Sequence, residues 1–449
     1  MLIDTLYAPE SLWQTIEQVD EIEEGGVDLT GEVRLKKERR RRLESGHPWV
    51  YRSEIEAVTP DTATGDVVRV CNHQGHALAY GFYHAESQIA VRIATYGSAT
   101  TLGAHWLRTA VAEAWQRRRR LLASTQSCRA IYGEADGLPG LIVDKYGDTA
   151  VVQILSAAFE GRREEVATVL ADVLKVTSLY ERSDASTRKL EGLEPRTGPL
   201  LGDPPPDVWI VENGVRFCVG ITDGQKTGHF FDQRDNHAAI APFVRFASDE
   251  TPRPDLRFRE EGEEVPGLRR GARVLDVFCH TGGFALHALR YGASHVQAID
   301  SSERALIQAE RNFEANGFAQ ERFELIEGDA FAILRDFAEQ GEQYDVVVLD
   351  PPAFAKSKAA VEGALRGYKD IHLRALRLIK SGGYLVTASC SSHVDREAWM
   401  MTIREAAQDA HKLLRCEMQR GAGPDHPVLL GMPENDYLKF AVFEVRPRG

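Results

Sequence analysis

The sequence predicts an α/β protein in which a doubly wound C-terminal sheet follows a small β-barrel and a small α+β module. Three observations carry this. From residue 271 onward, strand-like and helix-like segments alternate. Residues 31–100 instead hold short strand-like pieces separated by Gly, Asn and His. Residues 195–207, "PRTGPLLGDPPPD", are rich in Pro and Gly and read as a linker.

The chain begins with an acidic extension, residues 1–30, holding eight acids and no Lys or Arg. It contributes most of the formal charge of −13, which would otherwise argue against a nucleic-acid partner. A basic run follows at once, with Lys36, Lys37, Arg39, Arg40, Arg41 and Arg42. Read alone, such a run is either a solvated face or a phosphate-contacting patch. In residues 31–102 the strand-like pieces are "GDVVRVCN", "ALAYGFYH" and "QIAVRIATYG", a pattern that predicts a barrel.

Residues 103–200 form the middle module. A helix is expected over 103–123, with a second basic run at Arg117–Arg120. "GLPGLIVDKYGDTAVVQIL" alternates and turns like a hairpin. Val166, Val169, Leu170, Val173 and Leu174 fall at helical spacing, and "SLYERSD" is a further strand. The C-terminal domain spans 208–449, and residues 248–266 within it read as a charged surface insertion.

The six cysteines are scattered and form no CxxC pair, so neither a disulfide framework nor a zinc site is expected. The prediction is reduced thiols in the cytoplasm. No apolar run approaches the roughly 20 residues of a spanning helix, and no membrane association is expected.

In a doubly wound sheet, ligands sit at the carboxyl ends of the strands. Four consecutive predicted strands end in acids: Asp276 in "DVFCHTGGF", Asp300, Asp329 in "EGDA", and Asp350 in "LDPPAF". Each acid alone could be a helix N-cap. Together they outline a cleft, and an acid 18 residues beyond Gly282 suits a ribose diol. The missing GxGxxG disfavours a nicotinamide dehydrogenase.

The order D-x-F-x-x-T-G-G, strand-end Asp, G-D-A, D-P-P-x-F resembles the class I S-adenosyl-L-methionine-dependent methyltransferases, whose Rossmann-like domain has seven strands. "GHPWVYRSEI", "DGLPGLIVDKYGD", "GQKTGHFFDQRDNH", "DPPAFAKSK", "RGYKDIHLRAL", "SCSS" and "DHPVLLGMPENDYLK" together resemble the bacterial large-subunit rRNA methyltransferase I family over about residues 31–449. That resemblance implies a PUA-like RNA-binding barrel, a small middle domain and a methyltransferase domain that makes 5-methylcytosine in 23S rRNA. It implies that Asp276 and the Thr281-Gly282-Gly283 turn hold the methionine end of the cofactor. Asp300 would bind the ribose hydroxyls and Asp329 the adenine, with Phe278, Ser301 and Ala330 also counted among the cofactor-binding residues. Gln233 and Arg234 would close over the cofactor, and Asp350 would border it. Lys36, Lys37, Arg39, Arg40 and Lys356 would contact RNA. The partner is 23S rRNA or a large-subunit particle, with a homodimer compatible and no metal expected.

D-P-P-x-F by itself leaves nitrogen and carbon methylation open. Carbon 5 of cytosine is too weak a nucleophile to attack a sulfonium, so a thiolate must first add to carbon 6. Cys390, at the end of "YLVTASC", matches the family's nucleophile position, and Asp350 would hydrogen-bond the base. A free Cys is ordinarily a small buried hydrophobe. Ser389 and Ser391 on either side predict a polar pocket instead. Cys279, also at a strand end, reads as packing or a cofactor wall. Pro352 stands where many RNA 5-methylcytosine enzymes carry a second cysteine, and His280 where an aromatic is common. Guanine N-methylation and a non-catalytic RNA-binding assembly role are the competing readings.

Overall fold

The computed structural model describes residues 29–37, 42–96, 101–122, 125–224, 226–245, 271–355 and 357–448. Most of the acidic extension, the 248–266 insertion, Arg39, Arg40, Arg41 and Lys356 lie outside them.

The short apolar runs near the N-terminus become β1 (Gly31–Leu35), β2 (Trp49–Tyr51), β3 (Ile55–Val58), β4 (Val67–Cys71), β5 (Ala77–Tyr83) and β6 (Ile89–Tyr96). They form one six-stranded sheet in the order β2-β6-β5-β4-β1-β3. Alternate residues point inward, and Val33, Leu35, Val50, Val68, Val70, Val91 and Ile93 fill its core. Only glycine fits at position 81, because a Cβ there would sit 2.2 Å from the Arg92 carbonyl oxygen.

Helix α1 (Ala104–Leu121) precedes a second sheet, built from β7 (Ser127–Tyr132), β8 (Leu141–Tyr146), β9 (Thr149–Ile154), β10 (Ser178–Ser183) and β11 (Arg196–Leu201). Its order is β11-β10-β9-β8-β7. Helix α2 (Arg163–Leu174) buries Val166, Val169, Leu170 and Leu174. Part of the expected linker is therefore a strand. β11 is an edge strand, and Pro199 faces Tyr180 beside a register irregularity, the setting in which a strand tolerates proline. Strands β12 (Asp207–Glu212) and β13 (Val215–Gly220) follow as a hairpin. Its two turn residues, Asn213 and Gly214, both have positive φ, matching the strand twist.

Helix α3 (Arg234–Ala239) leads to the third sheet. Its strands and helices alternate: β14 (Arg273–Val277), α4 (Gly283–Arg290), β15 (His295–Asp300), α5 (Glu303–Ala315), β16 (Phe323–Glu327), α6 (Ala330–Glu339), β17 (Tyr344–Leu349), α7 (Val361–Leu378), β18 (Ile379–Ser389), α8 (Arg396–Asp409), β19 (Lys412–Arg420) and β20 (Lys439–Pro447). The order is β16-β15-β14-β17-β18-β20-β19. β20 runs antiparallel to both neighbours. β14 and β17 are adjacent and parallel, and the chain winds outward from them in both directions, so the crevice above their carboxyl ends is the switch point. The central strands are buried along almost their whole length because helices cover both faces. Among the described residues, no helix is long and apolar enough to cross a membrane.

Candidate active site

β14 delivers Asp276 to the switch point in full burial. One carboxylate oxygen accepts from the Ala285 amide at 2.8 Å, while the other is buried without a hydrogen-bond partner. Burial, together with the nearby charges of Asp350 and Asp300, pushes its carboxyl up to about 8. The chain then reverses through a tight turn in which Phe278, His280 and Gly282 have φ of +66°, +50° and +88°. Two non-glycine residues in the left-handed region store backbone strain, the kind that gathers at functional sites. A Cβ on Gly282 would press on the Phe313 ring at 3.1 Å, and one on Gly283 would overlap His237 at 2.6 Å. The Thr281 carbonyl is held by the Asn312 amide at 3.0 Å.

Asp300 closes β15 and steadies the same turn. Its two oxygens accept from the amides of His280 at 2.8 Å and Ser302 at 2.9 Å. Ser301 beside it is exposed. Asp329 is exposed and caps α6 through the Ala332 amide at 2.9 Å, with Ala330 buried next to it.

Asp350 follows β17. Gln233, almost fully buried, donates from its amide to one Asp350 oxygen at 2.9 Å and accepts from Asn236 at 2.7 Å. Burial and the neighbouring Asp232 push Asp350 up to about 7. Arg234 points elsewhere. Its guanidinium donates to the Ser127 carbonyl at 2.8 Å, pairs with Asp425 at 3.3 Å and lies over the Phe231 ring. It therefore ties α3 to β7 and to the segment before β20.

Cys390 follows β18, the parallel neighbour of β17. Its thiol donates to the Pro351 carbonyl at 3.8 Å, which sets it against the D-P-P turn. It is the partly exposed cysteine among five otherwise buried or remote ones: Cys71, Cys128, Cys218 and Cys279 are buried, and Cys416 lies exposed on β19. Burial and the Asp350 charge push the Cys390 thiol up to about 11, and Lys226 opposes this.

Ser389 and Ser391 do not line the pocket. Both are fully buried, and the Tyr368 hydroxyl of α7 bridges them at 2.8 and 2.9 Å. The Ser391 hydroxyl also accepts from the Ala355 amide at 3.3 Å, linking "SCSS" to "DPPAF". Their polarity fixes the loop rather than solvating the thiol.

Two lysines escaped the sequence reading. Lys439, buried opposite Ser389 on β20, donates to the carbonyls of Ser391 at 2.7 Å and Val394 at 2.8 Å. Burial draws its ammonium down to about 8. Lys226 sits at positive φ over the Phe230 ring, whose edge meets His280. Both stand inside quoted motifs, "NDYLK" and "GQKTGH", but neither lies near Cys390 in sequence. Of the residues expected to meet RNA, Lys36 and Lys37 are exposed, and Lys36 donates to the Ser53 carbonyl at 2.7 Å.

Comparison with known proteins agrees with this arrangement. Residues 33–96 match the PUA-like domain family and residues 268–423 a methyltransferase domain family. Ribosomal RNA large subunit methyltransferase I of Photobacterium profundum is 38% identical over 416 residues, covering 92% of this chain and 98% of the relative. The protein of that name in Aeromonas hydrophila is 36% identical over 425 residues, covering 93% and 100%. The chain belongs to the ribosomal RNA large subunit methyltransferase I family. A methyltransferase from Streptococcus mutans shares the fold, with a TM-score of 0.73, 17% identity and coverage of 92% of this chain and 99% of that one. A methyltransferase solved with S-adenosylhomocysteine gives 0.75 and 18%, at the same coverage.

Membership in this family makes the chain an S-adenosylmethionine-dependent methyltransferase, and the cleft fits that cofactor. Asp276 holds an unpaired buried acceptor, and three acids share a small space at the strand ends. A ligand carrying both an ammonium and a sulfonium would supply the missing donor and relieve the mutual repulsion.

Proposed function

We propose that the chain methylates carbon 5 of a cytosine in large-subunit ribosomal RNA, with Cys390 as nucleophile. The observation that supports this best is the Cys390 thiol set 3.8 Å from the Pro351 carbonyl, on the strand beside Asp350. Methylation of a nitrogen needs no thiol there. The names of the relatives and the PUA-like match support the RNA substrate.

In this reading Asp276 and the Thr281-Gly282-Gly283 turn hold the methionine end of the cofactor, Asp300 the ribose and Asp329 the adenine. When bound, S-adenosylmethionine supplies an electrophilic methyl group. Folded rRNA offers unpaired bases, and the target base leaves its stack to enter the cleft. Cys390, partly exposed, gives its thiol proton to solvent, and the thiolate adds to carbon 6, sending the displaced electrons through the ring to N3. Asp350 keeps a proton to about pH 7, so its carboxyl donates to N3 as charge develops there. Gln233 orients Asp350 for that donation. After transfer, loss of the carbon 5 proton to a base and expulsion of the thiolate restore the ring, and N3 returns its proton to Asp350.

The test is a covalent trap. RNA carrying 5-fluorocytosine blocks loss of the carbon 5 substituent, so the adduct accumulates as a denaturation-resistant RNA–protein band. The band should form with the wild type and vanish with Cys390→Ala. Methyl transfer by Cys390→Ala at the wild-type rate would instead point to guanine N-methylation.

A further inference from the structure

Away from the cleft, the core holds a cluster of ionisable groups that neither the fold nor the proposed reaction uses. Glu212 ends β12, His237 lies on α3, His287 on α4, and His229 precedes α3. All four are buried, with exposures of 3%, 5%, 0% and 7%. The Glu212 carboxylate takes His237 Nδ1 at 2.6 Å on Oε1 and His229 Nε2 at 2.8 Å on Oε2. His287 Nε2 lies 3.8 Å from the same Oε1.

The hydrogen-bond directions fix what His287 presents to Glu212. His287 Nδ1 is 2.8 Å from the Gly283 carbonyl, which can only accept, so Nδ1 carries a proton. In the neutral ring Nε2 then presents a lone pair, and it faces a carboxylate oxygen, another acceptor. The Asn213 amide donates one proton to the Arg234 carbonyl at 3.0 Å and turns its other toward Nε2 across a long 3.4 Å contact. Two acceptors thus converge inside the protein, and a third ligand atom, His237 Nδ1, stands within 4.8 Å of both.

We propose that Glu212, His237 and His287 bind one divalent transition-metal ion in a buried structural site. Two imidazoles and a carboxylate suit zinc, which takes such ligands at about 2.0–2.2 Å. The outer partners are in place. Gly283 fixes the His287 tautomer, and His229 holds the second Glu212 oxygen, the arrangement that orients metal ligands. Binding through Nδ1 needs that nitrogen free: a charged His237 ring releases the proton and a neutral one carries it on Nε2 instead, the Glu212–His237 contact opens, and His287 closes in. The three ligands come from a hairpin and two helices, so the ion clamps β12 to α3 and α4. Because α4 begins at Gly283, the clamp also braces the glycine turn from behind.

The full chain is purified without chelator, its zinc measured by mass spectrometry, and the ion removed and returned by titration. The expected result is about one zinc per chain, tight binding on return, and a rise in melting temperature with zinc. His287→Gln should weaken binding at least tenfold while leaving the metal-free melting temperature close to wild type. Zinc-edge X-ray absorption of the wild-type chain should show two imidazoles, a readout that does not depend on any variant folding. The proposal is overturned if the wild type holds no stoichiometric zinc, if His287→Gln binds it equally well, or if the absorption spectrum lacks imidazole. In that case the cluster is a hydrogen-bond network only.

Discussion

The Cys390 thiol and the Pro351 carbonyl oxygen lie 3.8 Å apart, joining the ends of two parallel strands that are 39 residues apart in sequence. That contact places a nucleophile beside the D-P-P turn and makes the chemistry testable. Cys390→Ala should bind S-adenosylhomocysteine as the wild type does while methyl transfer falls by at least a thousandfold. Calorimetry and a labelled-methyl assay together separate the two. Loss of both would make the cysteine structural instead.

The thiol's ionisation is set by opposing neighbours. Burial raises it first, Asp350 raises it further, and Lys226 lowers it. Asp350→Asn removes a negative charge and should shift alkylation of Cys390 to lower pH. Lys226→Met removes a positive charge and should shift it to higher pH. Site-resolved iodoacetamide labelling across a pH series, read by mass spectrometry, gives both midpoints. Shifts of the same sign would contradict the assigned electrostatics.

Cofactor binding should depend on pH through Asp276. An unfolded Asp titrates near 4, whereas the buried Asp276 keeps its proton to about pH 8. Between those values the folded state binds the extra proton, so this group's contribution to stability falls as pH rises and levels off above about 8. A cationic ligand favours the ionised form and binds more tightly as pH rises through that window. The melting-temperature gain from a fixed concentration of S-adenosylmethionine should be larger near pH 8 than near pH 6. Asp276→Asn should flatten that difference.

The alternation of apolar runs and helical spacings made the third sheet readable, because hydrophobic period survives in the sequence whatever the tertiary context. The strand-end acids were readable for the same reason: a strand's end is a local feature. Three things were not. Pro199 hid β11, since an edge strand and a linker share the same composition. Ser389 and Ser391 suggested a polar pocket until Tyr368, some 20 residues away, was seen to take both hydroxyls. The anchoring of Arg234 was hidden as well, since its partners Ser127 and Asp425 lie more than a hundred residues away on either side. Side-chain direction across long sequence separations leaves no local trace.

The basic run at 117–120 illustrates the same limit and yields a last prediction. On the sequence these four arginines form one positive cluster. In the structure Arg118 is 1% exposed, pairs with Asp136 at 2.6 Å, and donates to the carbonyls of Asp425 and Arg129 at 2.8 and 2.9 Å. Arg119 and Arg120 are exposed. Removing one partner of a buried pair costs about 3–5 kcal/mol; Asp136 keeps Arg117 at 2.7 Å, so Arg118→Ala should lower the unfolding free energy by the lower end of that range in urea titration. Arg119→Ala and Arg120→Ala should stay within about 0.5 kcal/mol. If this face meets phosphates, the exposed pair should instead show itself in RNA affinity, as a shallower salt dependence in the double variant. A destabilised Arg119→Ala, or an Arg118→Ala as stable as the wild type, would mean that the buried anchor has been misassigned.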